Sequence, residues 1–225
     1  MVGSVATPEA LRTLNREAVA AACDLVEIRL DGLATGGEIP QPEAWAHLRG
    51  LPLLFTARRG DEGGSGAWSA AQREAMLRAA LADAALLDVE VASIGEMPTL
   101  LRDLAARGLP WVASFHDFSG PSDAATLGAA RDRAAAAGAA VFKAAVTPGG
   151  VADLCDLVAF QGAPSPLPVA VMGMGPLGPV SRLLGAQFGS PLHYGFLGPA
   201  PTAPGQWSAA LLREAIRHLA PLRHG

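Results

Sequence analysis

The stretch WVASFHDFSGPSDAATLGAARDRAAAAGAAVFKAAV, residues 111–146, holds two short apolar runs, Trp111 to Phe115 and Ala140 to Val146, on either side of one alanine-rich segment. Arg131, Asp132 and Arg133 give that middle segment good helix propensity, Ser122 precedes it, and Gly138 stands where a helix should stop. Strand, helix, strand in so few residues is one βαβ unit of a parallel sheet. Each strand also delivers a chemically active residue near its end, His116 from the first and Lys143 from the second.

The same alternation extends in both directions. Further runs of β character lie at Val2 to Ala6, Leu25 to Arg29, Leu53 to Thr56, Leu86 to Val91, Pro168 to Met172 and Leu192 to Leu197. Eight evenly spread runs point to an α/β fold, a single (β/α)8 TIM barrel spanning residues 1–225, rather than an open sheet. The barrel must be compact, because about 250 residues is typical. Helices fit between the strands, with Thr7 and Pro8 opening the first, Ser69 and Pro204 to Gln206 preceding others, and Gly108 ending one. A helix near Pro42 to Leu48 is expected in second place.

Composition narrows the function classes. The 225 residues are 50% hydrophobic and 17% charged, ample for a large core. A net charge of −4 supplies no positive field for nucleic acid or acidic membrane, so the expected partner is a small molecule. No uncharged apolar run is long enough to cross a bilayer and no signal-like segment opens the sequence, so a soluble cytoplasmic protein is expected. Cys23 and Cys155 lie amid apolar residues outside any metal-ligand spacing and read as core thiols of a reducing compartment.

In a (β/α) barrel the loops after the strands share one face, so polar residues at strand ends converge. Those positions hold Glu27 and Arg29, Arg58 with Glu62, Glu90, His116, Lys143, Arg182, and Thr202 with Gln206. The set contains one amine, one imidazole, guanidinium groups able to clamp a carboxylate or hydroxyls, and carboxylates able to orient the bases. Lys143 is the sole lysine and interrupts an apolar run, so burial would lower its pKa and leave a neutral nucleophile able to attack a carbonyl. It reads as a Schiff-base lysine with His116 as its acid/base partner; His47, His193, His218 and His224 read as structural or surface residues. Glu27, Arg29 and Asp31 fall on one side of an extended strand. The glycines after Glu62 lack the P-loop spacing, which argues against nucleotide. The run Met172 to Arg182 follows the seventh strand, where barrels often hold phosphate, and Pro199 to Gln206 has the composition of a substrate-covering loop.

Taken in order, these motifs resemble the type I 3-dehydroquinate dehydratases. The matching pieces are Glu27-Ile28-Arg29-Leu30-Asp31, Phe55-Thr56-Ala57-Arg58 with Glu62-Gly63-Gly64, Ser114-Phe115-His116-Asp117-Phe118, and Phe142-Lys143-Ala144-Ala145-Val146. Met174 through Ser181-Arg182, Phe188-Gly189-Ser190 and Ala203-Pro204-Gly205-Gln206 follow. The resemblance implies a (β/α) barrel lyase of the shikimate pathway that uses a Schiff-base lysine and neither metal nor cofactor, in a family where homodimers are common. It implies that Lys143 forms an imine with the C3 carbonyl of 3-dehydroquinate, that His116 moves the C2 proton to the departing C1 hydroxyl, and that Glu62 orients His116. Arg182 would bind the substrate carboxylate, Glu27, Arg29 and Arg58 the ring hydroxyls, and Thr202 and Gln206 would close over the ligand. Thr202 stands where the family more often has serine, Phe115 where it often has tyrosine, and Thr147 where it usually has methionine. Two other readings of the residues stay open: a class I aldolase or transaldolase-like Schiff-base barrel, and a ligand-sensing barrel that has lost catalysis.

Overall fold

All eight runs of β character become strands: β1 (Val2–Val5), β2 (Leu25–Arg29), β3 (Leu53–Thr56), β4 (Leu86–Glu90), β5 (Trp111–Asp117), β6 (Val141–Val146), β7 (Val169–Gly173) and β8 (Tyr194–Phe196). The structure is a computed structural model that describes residues 1–34 and 38–220; His224 lies outside them. Every ladder is parallel, and the order β7-β6-β5-β4-β3-β2-β1-β8 returns the last strand to the first. That circular order is the (β/α)8 barrel. Among the described residues no ladder joins β7 to β8. β1 is short, yet it is buried along its whole length and pairs on both sides.

The helices are α1 (Pro8–Thr13), α2 (Arg16–Ala22), α3 (Leu30–Leu33), α4 (Ala70–Ala80), α5 (Pro98–Arg107), α6 (Ala124–Ala136), α7 (Val151–Gly162), α8 (Gly178–Gln187) and α9 (Ala209–Leu219). Thr7 caps α1 through the amide of Ala10, and Ser69 forms a capping box with Gln72 at α4. Gly108 ends α5 at φ 63°, a left-handed conformation that glycine adopts without Cβ strain. The caps of α6 and α9 are Asp123 and Ser208, each slightly beyond the residues that the sequence offered.

Three expectations are corrected. Pro42–Leu48 forms a 3-10 helix, held to the barrel by the buried Trp45 and Leu48. β2 stops at Arg29, and Asp31 lies in α3 rather than on the strand; its carboxylate takes both an Arg29 fork and two backbone amides, which bends the segment out of the sheet. Cys155 is exposed, because the buried stripe of α7 is Leu154, Leu157, Phe160 and Gln161 and the next position points away; Cys23 is buried as expected.

The pleat separates two environments. Val26, Ile28, Phe55, Leu87, Val89, Ala113, Phe142, Ala144 and Val171 join helix residues such as Met76, Leu100, Leu127 and Leu157 in the main core between sheet and helices. The other face of the strands points into the barrel, where such folds ordinarily stack Val, Ile and Leu. Here a small apolar layer of Val2, Leu54, Met172 and Tyr194 fills only part of the interior. Ser4, Glu27, Thr56, Asp88, Ser114 and Lys143 are buried as well, and the register sets Ser4 level with Glu27, Thr56 with Asp88, and Ser114 with Lys143. A barrel with a charged interior has been built for something other than packing.

Candidate active site

A cavity of about 500 Å³, counting its open mouth, lies at the ends of the strands. Its lining includes nine of the ten strand-end side chains gathered in the sequence: Glu27, Arg29, Arg58, Glu62, His116, Lys143, Arg182, Thr202 and Gln206. The tenth, Glu90, lies outside the lining and is buried against Arg58. The nine come from six strands and the loops or helix that follow them, with Glu27 and Gln206 179 positions apart in sequence.

Lys143 projects inward from β6 with its side chain 5% exposed. Its Nζ lies 3.2 Å from Asp88 Oδ2 and 4.4 Å from the centre of the Tyr194 ring. Burial, joined by the nearby Arg58 charge, pulls its pKa below the ordinary lysine value, while Asp88 and Glu27 pull the other way. Asp88 meets burial too, but Arg58 and Lys143 overcome it and hold the carboxyl well below the usual range. Arg58 Nη1 reaches Asp88, Glu90 and Ser114, and the Ser114 hydroxyl donates to Asp88.

His116 sits within β5, which runs two residues further than its apolar run indicated. One oxygen of Glu62 accepts the His116 backbone N–H, at 3.0 Å, and lies 2.9 Å from the ring Nδ1. With Glu62 ionised, the hydrogen between the two groups belongs to Nδ1, which leaves Nε2 as the basic nitrogen. Burial drives both partners toward neutrality. It pushes Glu62 up to about 7, with help from the Glu90 and Asp88 charges, and it lowers His116 well below its usual value, with help from Arg58, Lys143 and Arg29. The pair therefore offers a neutral imidazole, held by a carboxyl poised near neutral pH.

The loop carrying Glu62 is pinned from below. Asp31 accepts Arg29 Nε and Nη2 at 2.9 and 2.7 Å and the amides of Arg58 and Ser65, while Arg29 also donates to the Gly63 carbonyl. Glu27 accepts the Ser4 and Thr56 hydroxyls. Across the cavity, Thr202 donates both its amide and its hydroxyl to Gln206 Oε1 at 2.8 Å, bracing the loop between β8 and α9.

Arg182 differs from the other arginines. It rises from α8, is 4% exposed, and donates from Nη1 to the Tyr194 carbonyl at 2.9 Å, with the Met172 sulfur at 3.5 Å. Its Nε has no partner, and burial without a compensating anion lowers its pKa to about 10. A desolvated guanidinium with donors to spare is a receptor for a carboxylate.

Sequence reading missed Ser4 and Tyr194, which line this cavity, and Asp88, which holds Lys143 from beneath it. Asp88 could have been found, since it breaks the run Leu86-Leu87-Asp88-Val89-Glu90 on the same side as Glu90. Tyr194 carries no such signal. It is the one tyrosine in the sequence, and its hydroxyl is buried without a hydrogen-bond partner. Among the described residues no group of three or more His, Cys, Asp or Glu side chains is placed to hold a metal ion.

Fold and cavity place the chain among the (β/α)8 barrel enzymes whose polar centre lies at the ends of the strands. Comparison with known proteins narrows the class. The family model described as type I 3-dehydroquinase matches residues 4–222. The 3-dehydroquinate dehydratase of Methanothermobacter thermautotrophicus is 34% identical over 215 residues, covering 95% of this chain and 93% of its own. That of Methanothrix thermoacetophila is 34% identical over 199 residues, with coverage of 87% and 82%. The crystal structure of 3-dehydroquinate dehydratase from Geobacillus kaustophilus HTA426 superposes with a TM-score of 0.84 at 28% identity, covering 98% of this chain and 90% of that one. The chain belongs to the type I 3-dehydroquinase family, and its class of activity is that of a hydro-lyase.

Proposed function

We propose that this chain, acting as one catalytic domain, dehydrates 3-dehydroquinate to 3-dehydroshikimate through an imine on Lys143, as a cytoplasmic step of the shikimate pathway, and that it works as a homodimer. The observation that carries the reading is the sole lysine of the sequence, desolvated inside the barrel and sharing one cavity with a Glu62-oriented imidazole. The unneutralised Arg182 supports the substrate class, because it asks for an anion that the protein itself does not provide.

The steps follow from these groups. Arg182 takes the substrate carboxylate, and Glu27, Arg29 and Arg58 take the ring hydroxyls, which fixes the C3 carbonyl over Lys143. The neutral amine adds to that carbonyl and water leaves, giving a protonated imine that draws electrons from C2. His116 Nε2 removes the C2 proton, and the resulting enamine expels the C1 hydroxyl, which departs as water on receiving that proton from His116. Water then hydrolyses the imine and restores the amine. One water is consumed there and two are released, a net loss of one. Thr202 and Gln206 close the loop over the ligand during the cycle.

The test is reduction with borohydride in the presence of 3-dehydroquinate, read by peptide mass. A substrate-sized adduct confined to Lys143, with enone absorbance rising in an unreduced sample, is expected. Folded protein that yields neither adduct nor absorbance sinks the proposal, and an adduct only with a sugar phosphate transfers it to the aldolase reading. Sedimentation of the purified protein tests the dimer.

A further inference from the structure

Arg73 is a buried arginine on α4, a helix of the outer layer. Its Nη1 donates to Glu90 Oε2 at 2.9 Å and to Ser93 Oγ at 3.0 Å, and its Nη2 donates to Glu96 Oε2 at 3.0 Å. The other oxygen of Glu90 accepts Arg58 Nη1 at 3.1 Å and the Arg59 amide at 3.0 Å. Arg58 continues to Asp88 at 3.0 Å, and Asp88 to Lys143 at 3.2 Å. Arg73, Glu90, Arg58, Asp88 and Lys143 thus form one buried line of alternating charge from the helix layer to the amine.

We propose that Arg73 is a positioning residue for the reaction: it is the outer cation of this line, and its charge helps set how readily Lys143 gives up a proton. Satisfying Glu90 alone does not require a second buried guanidinium, since the Ser93 hydroxyl, the Arg59 amide and Arg58 already donate to it. What the guanidinium adds is balance. Around Lys143 stand Asp88, Arg58, Glu27, the neutral His116 and the Tyr194 ring. Around Glu90 stand Arg58 and Arg73, with the half-exposed Glu96 shared between Arg73 and Arg59 at the outer end. The buried members are three cations, Lys143, Arg58 and Arg73, against three anions, Glu27, Asp88 and Glu90. Without Arg73 the interior is left negative, and a negative interior holds the Lys143 proton more tightly.

This inference rests on the imine reading of Lys143, yet its test is separate. Because Lys143 is the sole lysine, protein grown on lysine labelled with carbon-13 at the ε position gives one side-chain resonance, whose titration reads that amine directly in the absence of substrate. Arg73→Gln, which keeps a donor for Glu90 but no charge, is expected to move the titration up by about half to one pH unit, three- to ten-fold less free amine at a given pH. Arg73→Lys is expected to stay with the parent. The same upward step is expected when Arg73→Gln is added to Glu90→Gln, a background with no buried carboxylate left for Arg73 to satisfy, so the test survives if the single variant fails to fold. A titration unmoved or moved down by Arg73→Gln in either background overturns the proposal. Failure of borohydride trapping in the parent would remove the imine reading and leave the measured coupling standing.

Discussion

Lys143 and Arg182 are both basic groups without ordinary hydration, and they invite opposite consequences. Lys143→Ala is expected to lower turnover by about four orders of magnitude or more while the circular dichroism spectrum persists, since no second amine can replace it; turnover that survives would remove Lys143 from the chemistry. Arg182→Met is expected to raise KM about a hundred-fold or more through loss of a desolvated carboxylate partner. The same change should leave thermal stability equal or higher, because a buried charge without a counter-ion is a cost; an unchanged KM would contradict the role given to it. Glu62 makes a pH-dependent contribution whose sign is fixed by its shift. Its pKa rises from an ordinary 4.5 to about 7 on folding, so its stabilising effect is complete below about pH 4.5 and is lost as pH climbs through 7. Relative to the parent, Glu62→Gln should therefore gain about 2–3 kcal/mol between pH 5 and pH 8 in denaturant titrations. A constant difference between the two pH values would show that the carboxyl is not so perturbed.

At the scale of elements, the loops after β7 and β8 act as one piece. Gly175 donates its amide to the Pro204 carbonyl at 3.2 Å, and a Cβ on Gly205, which sits at φ 70°, would come within 2.2 Å of the Gly175 carbonyl oxygen. Gly205→Ala is expected to cost about 1–3 kcal/mol and to raise KM, as the brace between Thr202 and Gln206 loses its seat. Unchanged stability and KM in that variant would mean that the two loops move independently. The strands were legible in the sequence because the helix-facing side of each one must be apolar, and β-type runs such as Leu53 to Thr56 therefore stand out. Asp31 was misplaced for the same reason: a charge spaced by two from Arg29 has the period of a strand even when hydrogen bonds turn it into a helix. The nine cavity residues were legible because strand ends converge. Asp88 as the partner of Lys143, 55 positions away, and Arg73 behind it were not, since a contact made across a closed sheet leaves no local periodicity.

For the whole molecule, the interval between β7 and β8 is the discontinuity in the barrel. No strand ladder crosses it among the described residues, and Arg182, bonded to β8 and touching Met172 of β7, bridges it with a side chain. Hydrogen exchange read by mass is expected to be faster in peptides covering 169–173 and 192–197 than in those covering β3 to β5, and to slow there when a substrate-like carboxylate engages Arg182. Uniform exchange around the sheet would argue against that discontinuity.

The circular strand order has a consequence for synthesis. β1 precedes the other seven strands in the chain, but one of its two neighbours is β8, nearly 190 residues later. A growing chain on the ribosome therefore carries an open edge until residues 194–196 emerge. The amine can meet its full surroundings, the Tyr194 ring included, only then, so competence arrives as a single closing event.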